Sequence, residues 1–121
     1  MLLSLARELT AGLERPTDVG AVVLTLSNAY APGAPLATAL REDWLRGAND
    51  KTARLALAWA REQVRLALAE VLQRASGGSR PRGDVDTLAW LLLAACEALA
   101  HDPPSAVTDR AQALAAFLAV T

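Results

Sequence analysis

The run from Thr87 to His101 reads Thr-Leu-Ala-Trp-Leu-Leu-Leu-Ala-Ala-Cys-Glu-Ala-Leu-Ala-His, and it limits the possible folds more than any other stretch of the chain. Wound as an α-helix it has no continuous polar face, so it asks to be buried all round. The stretch after Pro103-Pro104, from Ser105 to Val120, poses nearly the same problem. Val107, Ala111, Leu114 and Leu118 form one apolar stripe there, and Ala113, Phe117 and Val120 a second. A monomer of 121 residues buries only about two thirds of the surface that its unfolded chain exposes, so two such helices are hard to house inside it. Two helices from each of two subunits, packed as a four-helix bundle about a two-fold axis, cover both stripes. Alanines at Ala94, Ala95, Ala98, Ala113 and Ala116 allow the helices to approach closely. The alternative is a monomer whose fifth helix is simply central.

The remaining sequence predicts four more helices and no strand, an all-α bundle of about six helices. The chain holds 27 alanines and 22 leucines against 4% aromatic residues, a bias towards helix formers and away from strand formers. Leu2, Leu5, Ala6, Leu9 and Leu13 recur at helical spacing, and Pro16 ends that helix. Thr17 or Asp18 caps the next, whose stripe is Val19, Val22, Val23, Leu26 and Tyr30; Pro32-Gly33-Ala34-Pro35 stops it. A third helix spans residues 36–46, with Leu36, Leu40, Trp44 and Leu45 expected inside and Arg41, Glu42 and Asp43 outside. After Gly47-Ala48-Asn49-Asp50, residues 51–75 form the longest helix, roughly 37 Å, with Leu57, Val64, Leu68, Val71 and Ala75 on one side and Leu55, Trp59 and Leu66 on another. Ser76 to Gly83 is a glycine-rich surface connection. Asp86 is the expected cap of the fifth helix, with Val85 stapled to Trp90.

Sequence chemistry excludes more functions than it suggests. A formal net charge of −1 gives no basic footprint for neutralising several phosphates, so binding of DNA by this chain is not expected. Cys96 is alone, which fits a reducing, cytoplasmic setting without an intramolecular disulfide. The opening residues lack a secretory pattern, and Leu88 to Ala100 is too short to cross a membrane. The single histidine, His101, falls at a helix end beside Asp102, where a positive charge is favourable, and it has no partners for a metal or catalytic site. No enzyme activity, cofactor or metal is expected. Arg54, Arg61 and Arg65 on the long helix, with Arg80 and Arg82 in the loop, could attract an anion, but a solvated helix face and an ordinary loop explain them, and no site is assigned to them. Tyr30, Trp44 and Trp59 fall on three successive helices, where they are either core or the lining of an apolar ligand pocket with Asn28 or Gln63 as the polar contact.

The stretch Gly83 to Leu99, followed after a break by Asp109-Arg110-Ala111-Gln112-Ala113-Leu114-Ala115-Ala116-Phe117-Leu118, resembles the end of TetR-family regulators. The long helix ending in Arg74-Ala75, then a Gly-rich loop and Arg80-Pro81, resembles that family's usual lead-in. This resemblance implies an effector-binding and dimerisation domain, with residues 1–82 holding the ligand and residues 83–121 pairing with a second copy. Trp90, Leu91, Ala94, Ala95, Ala98, Leu114, Phe117 and Leu118 are then the interface residues. The family's three-helix DNA-reading head has no counterpart among the first helices here, so DNA contact is not carried over. The expected function is a regulatory domain that senses a small apolar effector and forms a homodimer. The rival is a structural or adaptor bundle with no ligand.

Overall fold

The computed structural model describes residues 1–75 and 84–120; the connection expected at 76–83, with Arg80 and Arg82, and the side chain of Val120 lie outside the described residues. Six helices follow one another: α1 (Leu2–Gly12), α2 (Val19–Ala29), α3 (Pro35–Arg46), α4 (Lys51–Ala75), α5 (Val85–Leu99) and α6 (Pro104–Val120). No strand occurs among the described residues. The fold is an all-α bundle, and none of the described helices is long and apolar enough to cross a membrane.

Local chemistry sets the helix starts. The Asp18 carboxylate accepts from the Ala21 amide at 2.8 Å and opens α2, while Asp50 accepts from the Thr52 and Ala53 amides at 2.9 and 3.3 Å and opens α4. Pro35 occupies the first turn of α3, where its missing N–H costs nothing. The turn before it needs Gly33, whose φ of 85° is left-handed. At α5 the cap is Asp84 and not Asp86: Asp84 accepts from the Asp86 amide at 3.1 Å and from the Thr87 hydroxyl at 3.3 Å. Val85 is then inside the helix and cannot staple it from outside. Asp86 instead adds negative charge to the first turn and pairs with Arg65 at 3.1 Å.

Around the long α4 are packed α1, α3 and α5, while α2 touches every neighbour and carries α6 along its far side. The core joins Leu2, Ala6, Leu9 and Leu13 of the first segment to Val22, Val23 and Leu26, then to Val64, Leu68 and Val71, and to Leu92, Leu93 and Cys96. Arg74 fastens two segments far apart in sequence. Its guanidinium donates to the carbonyl oxygens of Leu13, Glu14 and Pro16 at 3.1, 3.0 and 3.1 Å, closing the end of α1 over α4.

Three expectations about burial are corrected. Leu45 is 63% exposed and Trp44 72%, whereas Asp43 is buried at 8% and paired with Arg46. Seven residues bring a helix back to within about 20° of its starting direction, so Asp43 falls under Leu36, while Leu45 points to the opposite side. The second side of α4 is not covered within the chain: Leu55 and Leu66 are exposed, and Trp59 lies half-exposed beneath the Arg7 guanidinium, 5.6 Å from its ring centre. Nor is α5 buried all round. Ala89, Leu92, Leu93, Cys96 and Leu99 face the core, while Trp90, Leu91 and Ala98 face outward.

Candidate functional site

Three helices and one tyrosine build a cleft of about 570 Å³. Each wall is one stripe of a helix. From α3 come Ala37, Leu40, Arg41 and Trp44; from α4 come Arg54, Leu57, Ala58 and Arg61; from the end of α5 and just past it come Glu97, Ala100 and His101. In the first two walls the spacing is i, i+3, i+4, i+7, which places all four side chains on a single face. Tyr30, at the end of α2, forms the floor.

The polar groups are held in different ways. Gly47, just after α3, is tight against α4: a Cβ there would meet Arg54 Cγ at 3.1 Å and the Asp43 carbonyl at 3.3 Å. Lacking one, it lets the Arg54 guanidinium reach the Gly47 carbonyl at 3.1 Å, which closes the end of α3 and holds Arg54 at the cleft. Arg61 donates to Glu97 at 3.1 Å. Burial pushes the Glu97 carboxyl above its ordinary range, and the Arg61 guanidinium pulls it back only in part. Tyr30 is 2% exposed, and burial raises its phenol, with the Glu97 charge acting in the same direction. Its hydroxyl makes no hydrogen bond among the described residues. No buried side-chain oxygen there is left both sealed from solvent and unpartnered, so the Tyr30 hydroxyl opens onto the cleft.

Of the residues expected to form a pocket, the fold brings together Tyr30 and Trp44 only. Trp59 lies on the α1 side of α4 under Arg7. Gln63 lines a smaller hollow of about 260 Å³ with Thr10, Leu13 and Glu70, between α1 and α4. Asn28 is exposed on α2 and reaches neither space. The sequence reading missed Arg41, Arg54, Arg61 and Glu97 as a group, though the mixed apolar and arginine stripes on α3 and α4 were a signal. Cys96 is in the core with its thiol pushed up to about 12 by burial and the nearby Glu97 charge, which suits a small apolar residue and not a nucleophile.

The residues expected to pair two copies divide into two sets. On α5, Trp90 (53% exposed), Leu91 (49%) and Ala98 lie outward on the face that also carries the half-buried Ala94 and Ala95. On α6, Phe117 is exposed, but Leu114 and Leu118 pack partly against the chain's own core. They face inward because α6 lies along α2. In comparisons with known proteins, no family model, no curated protein and no solved structure matches the chain.

Proposed function

We propose that this chain is a regulatory domain that binds a small molecule in the α3–α4–α5 cleft and pairs with a second copy through α5 and α6, as its resemblance to TetR-family regulators implies. The observation that carries this reading is the cleft itself. Its volume falls within the range of roughly 300–1,000 Å³ usual for ligand sites, and a mainly apolar lining with a few polar groups is what such sites need. The outward Trp90, Leu91 and Ala98 support pairing, since a tryptophan and a leucine half-exposed side by side are an apolar surface fit for a symmetric partner. On this proposal the domain works in the cytoplasm, and its described surface is not itself the DNA-reading part, because a net charge of −1 gives no basic footprint for phosphates.

The adaptor reading draws on a different observation, the exposed Leu24, Leu45, Leu55 and Leu66 away from the cleft. Thermal unfolding in the presence of a panel of lipophilic small molecules separates the two. A ligand of the cleft raises Tm in proportion to the logarithm of its concentration, by about 2.7 kcal/mol of stability at a hundred times Kd. Ala58→Trp, which fills the cleft from an exposed position on α4, should abolish that shift. Compounds that stabilise the wild-type and the Ala58→Trp protein equally would refute the cleft as the sensing site.

A further inference from the structure

We infer that the cleft selects an amphipathic anion, a molecule with one carboxylate-like head on an apolar body, rather than an uncharged apolar compound. The inference rests on the reading of the cleft as a ligand site and narrows its occupant. Three arginines, Arg41, Arg54 and Arg61, line the cleft against a single carboxylate, Glu97. Glu97 is already matched by Arg61 at 3.1 Å. That leaves Arg41 and Arg54 uncompensated, since Arg54 spends one N–H on a neutral carbonyl and Arg41 makes no hydrogen bond or ion pair among the described residues. A guanidinium offers five donors and no acceptor, so these side chains can be satisfied only by water or by an acceptor brought in by the ligand.

The floor adds a second, independent mark. Tyr30 lines the cleft at 2% exposure, and its hydroxyl is not sealed from solvent and makes no hydrogen bond among the described residues. A phenol there is a further donor aimed at the same occupant, in the way sites for oxygen-bearing groups are built. Beside these donors on the same helix faces, Leu40, Trp44, Leu57 and Ala58 offer apolar contact, and the long arginine stems extend it while their heads stay free to bind. An uncharged apolar guest would displace water from the guanidinia without replacing its hydrogen bonds. A cation would meet like charge. A short inorganic anion would leave the apolar side chains of the lining unused. Only a single-headed anionic amphiphile satisfies both halves of the lining.

Octanoate, octanol and octylammonium share one tail and differ in the charge of the head, and the indole N–H resonance of Trp44 reports occupancy of the cleft. Titration followed by NMR should move that resonance with octanoate, at a Kd lower than that of octanol by about tenfold or more, the usual worth of a hydrogen bond to a charged group. Octylammonium should be weakest of the three. Arg41→Gln should erase most of the preference for octanoate over octanol. Glu97→Gln, which removes the one negative charge and frees Arg61, should increase it. Equal binding of octanoate and octanol, or a preference unchanged in Arg41→Gln and Glu97→Gln, overturns the anion inference while leaving a ligand cleft in place. No movement of the Trp44 resonance with any of the three probes overturns both the inference and the reading on which it rests.

Discussion

Replacing Trp90 by Ala removes the largest outward side chain of α5 and gives the sharpest test of pairing. Trp90 is 53% exposed in the single chain, so an interface that covers it buries about 100 Å² of apolar surface per protomer that Ala would not bury. At roughly 25 cal/mol per Å² that amounts to about 2.5 kcal/mol for each protomer. A two-fold interface contains the residue twice, so the loss is about 5 kcal/mol per dimer, between three and four decades in the dimer dissociation constant. Leu91→Glu should act at least as strongly, because it puts a charge on the outward face that pairing would bury.

Sedimentation velocity over a concentration series reads the effect directly. The wild-type protein should sediment as a dimer at micromolar concentration, and both variants should sediment as monomers that still unfold cooperatively, below the parent's Tm because association no longer stabilises the folded chain. The monomers should still fold because neither side chain belongs to the packed core, and substitutions of that kind usually change the stability of the chain itself by less than about 1 kcal/mol. A wild-type protein that remains monomeric at tens of micromolar, or a Trp90→Ala variant that dimerises as tightly as the parent, would refute the reasoning.

Other expectations concern the core, the helix junction and the buried carboxyl. Leu68→Ala, at a fully buried position of α4, should cost about 3–5 kcal/mol by urea unfolding through the cavity it leaves. Arg74→Met keeps the stem and removes the donor to three carbonyls; partial exposure limits the loss to about 1–3 kcal/mol, seen in the same assay. Glu97 has its carboxyl raised above the ordinary 4.5 chiefly by burial, so folding favours its protonated form. The resulting penalty is absent below pH 4.5, grows as pH rises through the raised value and is complete above it. The Tm of Glu97→Gln should therefore gain on that of the wild type between pH 4 and pH 7; a gain that is flat across this range would count against the assignment.

The helices were legible in the sequence because each carries its own period and its own stop signals. Leu2, Ala6, Leu9 and Leu13, or Val64, Leu68 and Val71, repeat closely enough to 3.6 that burial follows from counting. Counting by fours failed on α3. Each such step advances about 40°, so Leu36, Leu40 and Trp44 walk off the core face, and the stripe returns at Asp43. An aspartate in that place runs against composition, and the buried carboxylate is tolerated because Arg46 neutralises it one turn on. The cleft was less legible for a different reason. Its walls belong to three helices whose relative positions depend on core packing, and its charged members look like solvated surface on each helix taken alone. Trp59 shows the converse. It stands two positions from Leu57, about 200° round α4, so helix register puts it on the α1 side, where it meets the Arg7 guanidinium.

The placement of α5 connects the two halves of the proposal. At its end, Glu97 and Ala100 belong to the wall of the cleft, while Trp90, Leu91 and Ala98 stand on the outward face of the same helix. A fifteen-residue helix is stiff over this length, so a guest that shifts Glu97 relative to Arg61 also displaces the outward face, with no flexible joint between them. On this proposal binding and pairing are expected to be linked, and linkage is reciprocal: if octanoate tightens or loosens the dimer by some factor, dimerisation changes the affinity for octanoate by a factor fixed by the same coupling free energy. Conformational coupling of this kind typically lies at 1–3 kcal/mol, or about 5–150-fold. The dimer constant measured with and without octanoate therefore has to agree with the octanoate affinity measured on the wild type and on monomeric Leu91→Glu. A dimer constant that octanoate leaves unchanged would mean that α5 does not carry the signal, and that the cleft and the outward face act independently.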